Sequence, residues 1–243
     1  MSDWLTTWNY AHRGLHGPAT GFVENSLSAF RAAIQKGYGF ELDVLLSKDR
    51  SPVVFHDRHL SHLTGQKGNI DDYDTAELQR FKLLGGPDTI PLLTSVLDHT
   101  AGRVPVLIEI KGDQECPGEI AAATCAAVGS YAGPVAIMSF EEKIVAWFRD
   151  HAPQIRRGLV ATAQKPLVSR RRNADAYSPA RHIELIERLD ADFLAYDIRS
   201  LPNDATAYCR DHKIPVLTWT VRTPAQHKQA ETFCDAKIFE LPT

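Results

Sequence analysis

"ELDVLLSKDRSPVVFHD" occupies positions 41–57, and its first half reads as a strand with one acidic side. Successive strand side chains point to opposite faces. In "FELDVLL" (40–46), Phe40, Leu42 and Val44 therefore share one face while Glu41 and Asp43 share the other. "VPVLIEIK" (104–111) repeats the arrangement, with Val106, Ile108 and Ile110 set against Glu109 and Lys111. Unpaired buried carboxylates are costly. Strands that set an apolar face against an acidic one fit a barrel, where the apolar face meets helices and the polar face looks into the mouth.

The remaining chain supplies the other strands. Apolar runs at 8–12, 134–140, 157–162, 192–198, 215–221 and 236–241 bring the number to eight, and "PVVFHD" (52–57) extends the second as a hairpin. Helical patterns lie between them, at 26–36, 118–128, 141–150, 180–190, 205–213 and 224–234. Gly37 stands where a C-terminal cap belongs, and Asn203 is placed as an N-cap. Strands alternating with helices indicate parallel βαβ units, and eight of them predict a (β/α)₈ TIM barrel forming a single domain over 1–243. Residues 57–91 break the rhythm with Gly65, Gly68, Gly85 and Gly86. They are expected to form an insertion loop with one short helix over one end of the barrel.

Composition narrows the function. The chain has 243 residues, 44% hydrophobic and 23% charged, with a formal charge of −3. No global basic field draws it to nucleic acid. "SRRR" (169–172) is a local basic cluster, read as a solvated loop with substrate steering by Arg170, Arg171 and Arg172 as the alternative. The four cysteines form no CxxC and read as free thiols in a reducing compartment. The N-terminus "MSDWLTTWNY" lacks a signal-peptide pattern, and no run reaches the ~18 apolar residues of a membrane span. The expectation is a cytoplasmic protein with no integral membrane segment and no indicated oligomer.

Glu41, Asp43 and Glu109 converging on one mouth would repel unless a cation holds them, and oxygen-only ligands suit a hard ion, Mg²⁺ or Ca²⁺. A divalent ion and Lys111 together balance their three charges. A phosphate ester then needs one more cation, and "AHRG" (11–14) offers the planar fork of Arg13. His12 beside it and His56 at the end of "PVVFHD" are candidate acid–base groups. Any one of these is weak by itself, since the chain has ten histidines and paired charges are common. Their joint occurrence in the first three predicted strands carries the argument.

Those residues, in the order "AHRG…VENSLSAFRAAIQKGYGFELDVLLSKDRSPVVFHD…LTG…IPLLTSVLD…VLIEIK", resemble the glycerophosphodiester phosphodiesterase family. Its pattern runs HRG, P-E-N-T, E-x-D-V with T-K-D-G, V-x-H-D and E-x-K, and the likeness continues more weakly into "MSF" (138–140) and "TWTV" (218–221). The resemblance implies a TIM barrel that hydrolyses glycerophosphodiesters such as glycerophosphocholine and glycerophosphoethanolamine to glycerol 3-phosphate and an alcohol. It implies Glu41, Asp43 and Glu109 as metal ligands for Mg²⁺ or Ca²⁺. It implies His12 and His56 as the acid–base pair and Arg13 and Lys111 on the phosphate. Asn25 would lie near the site, Glu24 beside it as a structural residue, and Trp219 would line the alcohol side.

Several positions depart from the family pattern: Val23 for proline, Ser26 and Ser47 for threonine, Arg50 for glycine. The family's closing D-G-I-I-T-D-x-P is "DAKIFELP" here, with Ala236 for the glycine and Glu240 for the aspartate. The implied mechanism is metal-assisted phosphoryl transfer, with attack by either the glycerol 2-OH or water. The alternatives are a lysophospholipase D on the same barrel, or a catalytically silent module that binds metal or phosphate.

Overall fold

Strand β2, Gly39–Leu46, has all eight residues buried, as a strand covered on both faces must. It pairs in parallel with β1 (Tyr10–Ala11) and β4 (Val106–Ile110), and antiparallel with the short β3 (Pro52–Val54) where it outruns β1. Strands β5 (Val135–Ser139), β6 (Arg156–Ala161), β7 (Phe193–Asp197), β8 (Val216–Val221) and β9 (Ala236–Phe239) continue in parallel, each beside the last. Pairing of β9 with β1 then closes the sheet. The result is a (β/α)₈ barrel of eight parallel strands with β3 outside it. The computed structural model describes residues 3–112, 116–129, 131–164 and 174–242, and Arg170–Arg172 lie outside them.

Seven helices of eight or more residues link the barrel strands among the described residues: α1 (Leu27–Gln35), α2 (Leu93–Thr100), α3 (Pro117–Val128), α4 (Glu142–His151), α5 (Pro179–Leu189), α6 (Asp204–Asp211) and α7 (Pro224–Phe233). Local chemistry sets their ends. Ser26 caps α1 by accepting from Ala29 N, and Asn203 caps α6 by accepting from Ala205 N and Thr206 N. Gly37, at φ +71, turns the chain left-handed just past α1. The apolar face of β2 meets this helix, with Phe30 stacked on Phe40 at 4.6 Å. Each such ring contributes about 1.5–3 kcal/mol by burial. Among the described residues, no helix is long and apolar enough to cross a membrane. All four cysteines are free.

Inside the barrel a separate core contains Leu107, Met138, Val160, Phe193, Leu217 and Ile238. Gly158 makes room for it, since a Cβ there would stand 2.3 Å from the Phe193 ring. The short helix Trp4–Thr7 brings the fully buried Leu5 into the same core. Tyr10 donates its hydroxyl to Leu5 O, and Arg156 forks onto Asp3.

Three expectations need correction. The first strand spans two residues, not 8–12, because Trp8 packs against the core as part of the entry segment. Helix α2 was not expected, although Leu93, Val96, Leu97 and Thr100 sit one turn apart and are buried. The stretch after β3 holds four short helical turns rather than one. It also has its own core of Leu45, Phe55, Leu60, Ile70, Leu78 and Ile90, so it is a packed layer on the upper end of β2.

Candidate active site

The register of β2 and β4 places Asp43 directly beside Glu109, and Glu41 two residues earlier on the same face. One oxygen from each of the three carboxylates lies within 4.8 Å of the others. Glu41 and Asp43 are each 1% exposed. Glu41 stands in the third position of its strand, since β2 runs on past the rim to carry the inserted layer. Burial, with Asp43 and Glu109 nearby, pushes the Glu41 carboxyl well above the ordinary range. Its Oε1 is buried without a hydrogen-bond partner, while Oε2 accepts from Arg13 N at 3.0 Å. An orphaned buried oxygen in an all-oxygen donor set fits a hard divalent cation.

Two cations already border the cluster. Lys111 Nζ lies 2.7 Å from Asp43 and 2.5 Å from Glu109. Burial works against its charge, but these carboxylates outweigh burial and raise its pKa. Arg13 reaches Glu24 at 2.7 Å and Asp43 at 3.1 Å. Burial would lift Asp43, yet Lys111 and Arg13 hold it far below the usual carboxylate range.

The backbone around these groups is held in a strained form. Arg13 and Asn25 both adopt left-handed φ, at 54° and 55°, a conformation that costs a non-glycine residue of the order of 1–3 kcal/mol. It is fixed by Asn25 N donating to Arg13 O at 3.0 Å and by a reciprocal pair with β2. Asn25 Nδ2 donates to Asp43 Oδ2 at 2.9 Å, and Asp43 N donates to Asn25 Oδ1 at 3.3 Å. Asn25, expected to lie near the site, is 1% exposed and has its amide turned onto Asp43.

His12 and His56 are anchored alike. His12 Nδ1 lies 2.7 Å from Glu240 Oε1, and His56 Nδ1 lies 2.6 Å from Asp57 Oδ1. A carboxylate can only accept, so each ring carries a proton on Nδ1 and turns Nε2 away from that carboxylate. His12 Nε2 stands 4.0 Å from Glu41. Burial outweighs the pull of Glu240 and lowers the His12 pKa, favouring the neutral ring. Arg222 forks onto Glu240 with two contacts of 2.7 Å. Burial pushes the Glu240 carboxyl up, but its hydrogen bonds from His12 and Arg222 bring it down to about 2.

The cavity so formed has a volume of about 280 Å³ and is lined by His12, Arg13, Glu41, His56, Glu109 and Lys111 on one side. Trp219 lines the far wall, edge-on to Phe140 at 5.5 Å, with Nε1 donating to Ala195 O. Arg199, also on that wall, is forked onto Asp197. All the expected site residues except Asn25 line this cavity or, like Asp43, sit directly behind it. The sequence reading missed Asp57, Glu240 and Arg222. Asp57 follows His56 in the quoted stretch, and Glu240 stands where the family has an aspartate.

A barrel whose mouth combines three clustered carboxylates, two cations and two carboxylate-anchored histidines defines a phosphodiesterase-type site. The chain belongs to the glycerophosphoryl diester phosphodiesterase family, whose model matches residues 12–239. It is 39% identical over 109 residues to a glycerophosphodiester phosphodiesterase of Bacillus altitudinis, a match covering 42% of this chain and 43% of that protein. It is 30% identical over 184 residues to YhdW of Bacillus subtilis, covering 72% of this chain and 74% of YhdW. A solved Oleispira antarctica phosphodiesterase, in complex with the product sn-glycerol-3-phosphate, shares the fold. The TM-score is 0.81 at 24% identity, over 97% of this chain and 94% of that one.

Proposed function

We propose that the protein hydrolyses glycerophosphodiesters, such as glycerophosphocholine and glycerophosphoethanolamine, to glycerol 3-phosphate and an alcohol. The observation that carries this reading is the pair of histidines, each tied through Nδ1 to a carboxylate, lining one cavity with the three-carboxylate cluster. Glu41, Asp43 and Glu109 would hold Mg²⁺ or Ca²⁺, which when bound supplies Lewis acidity and lowers the pKa of a hydroxyl. Arg13 and Lys111 place positive charge where a phosphoryl group gains negative charge. His12, held neutral by burial, accepts a proton at Nε2 from the attacking hydroxyl, and Glu240 stabilises the imidazolium that forms. His56, with its side chain 31% exposed and acting as the imidazolium whose Nδ1–H is held by Asp57, delivers its Nε2 proton to the departing alcohol oxygen and is left as the neutral Nδ1–H ring. Asn25 acts through Asp43, keeping its carboxylate turned toward the cluster. Trp219 and Phe140 receive the alcohol side.

A lysophospholipase D on the same barrel would need an apolar channel for an acyl chain beside this cavity. The test is turnover: purified protein with Mg²⁺ or Ca²⁺ is offered a panel of glycerophosphodiesters, with lysophosphatidylcholine alongside, and glycerol 3-phosphate and free alcohol are measured. Release of glycerol 3-phosphate from the deacylated diesters is expected. Turnover of lysophosphatidylcholine alone would favour the lysophospholipase D alternative, and no turnover of any diester would sink the catalytic reading.

A further inference from the structure

A second group of ligand-type side chains stands against the other edge of His12. One donor atom from each of His12, His16 and Glu240 lies within 4.8 Å of the others. Two imidazoles and one carboxylate form a donor set unlike the all-oxygen cluster, and one that suits zinc and its neighbours. His16 adds an independent observation. It lies in the turn between β1 and α1, it is half-buried, and its Nε2 is buried without a hydrogen-bond partner. Leaving a buried polar atom unpaired is costly, and the proposed catalytic chemistry supplies no partner for this nitrogen. Burial also lowers the His16 pKa, which keeps a lone pair available near neutral pH.

We propose that His12, His16 and Glu240 form an inhibitory site for a zinc-type divalent ion, distinct from the hard-ion cluster on the opposite edge of His12. His12 at present donates from Nδ1 to Glu240 Oε1 at 2.7 Å, with Nε2 toward Glu41. An ion on Nδ1 needs the lone pair there, so the single ring proton of the neutral imidazole moves to Nε2. Nε2 then has no lone pair with which to accept a proton. Glu240 Oε1 exchanges the hydrogen bonds it accepts from His12 and Arg222 for the ion, and Arg222 Nε keeps its 2.7 Å bond to Oε2. The positive charges of Arg13 and Arg222 act on His16 as well. They oppose a cation here while Glu24 and Glu240 favour one, a near balance that makes the site reversible rather than permanently filled. Binding depends only on the three side chains; the inhibition rests on the acid–base role proposed for His12.

The test is calorimetric titration of Zn²⁺ into the protein in excess Mg²⁺, paired with Zn²⁺ inhibition of glycerophosphodiester turnover. The proteins compared are wild type, His16→Ala and His16→Gln, the second retaining bulk and polarity at the turn. His16 does not line the catalytic cavity, so both variants are expected to keep the Mg²⁺-supported rate. Wild type should bind Zn²⁺ and lose activity. Both variants should bind it at least about tenfold more weakly, with the inhibition midpoint rising by the same factor. Equal Zn²⁺ affinity in the three proteins overturns the proposal, and so does Zn²⁺ binding at this site that leaves turnover unchanged. The calorimetric comparison decides the site even if no diester is turned over, an outcome that strikes the catalytic reading alone.

Discussion

Replacing Glu240 with Gln tests how His12 is prepared for proton transfer. The change keeps the size of the side chain and removes one charge. In wild type, Glu240 accepts from His12 Nδ1 and twice from Arg222, each contact being 2.7 Å. A glutamine has one accepting oxygen, which the Arg222 fork can claim, turning the amide NH₂ toward His12. The ring then keeps its proton on Nε2, the wrong nitrogen for a base. A hydrogen bond to a charged group is worth about 1.5–3 kcal/mol, and about 1.4 kcal/mol is a decade in rate. The expected loss is therefore about 10- to 100-fold in kcat, with little change in KM. The ¹⁵N shifts of His12 should report protonation at Nδ1 in wild type and at Nε2 in the variant. The same contacts hold the Glu240 pKa at about 2 against 4.5 for an unperturbed glutamate. A depressed carboxyl stabilises the fold fully above its unfolded pKa, and that contribution disappears as pH falls through the folded value. After screening at the half-open rim, the contribution is about 1–2 kcal/mol. Wild type should thus melt above the variant at neutral pH, with the gap narrowing as pH drops from 4.5 toward 2. An unchanged kcat, or a loss confined to KM, would refute the positioning role.

Other perturbations probe the remaining parts. Glu41→Gln removes the carboxylate with the orphaned oxygen, and should lower both Mg²⁺ affinity in calorimetry and activity by at least about a hundredfold; retained affinity would remove Glu41 from the ligand set. His12→Ala and His56→Ala should each slow turnover by about a hundredfold or more, with circular dichroism unchanged. Asn25→Ala leaves the Asp43 carboxylate without its 2.9 Å donor and should cost about 1–3 kcal/mol of stability in chemical denaturation. Gly158→Ala drives a methyl into the Phe193 ring, an overpacking that should destabilise the barrel by about 1–3 kcal/mol, read as a lower Tm.

What the sequence made legible follows from the range over which each signal acts. The alternation of residues 40–46 is a property of adjacent residues, and it correctly put Glu41 and Asp43 on the face opposite the α1 contacts. The caps at Gly37 and Asn203 are equally local, and both are where they were expected. Helix α2 went unread because it is eight residues long and begins directly after the Pro91 segment of the inserted layer. The core of that layer joins Leu45 and Phe55 to Ile70, Leu78 and Ile90, residues with no periodic relation to one another. At the site, the sequence presented Asn25 as a residue near substrate, and only the fold shows its amide locked onto Asp43. The partnership of His12 with Glu240 spans 228 positions and leaves no trace in local pattern beyond a glutamate where the family has an aspartate.

That long span ties the site to the closure of the barrel. The three carboxylates, both histidines, Arg13 and Lys111 are all made within the first 111 residues. The carboxylate that orients His12 follows the last strand, which also seals the sheet by pairing with the first. The acidic cluster sits on β2 and β4, whereas the anchoring of His12 depends on a residue just past β9. The contact between His12 and Glu240 and the pairing of β9 with β1 therefore share one seam, so whatever loosens that seam also loosens the anchoring of His12.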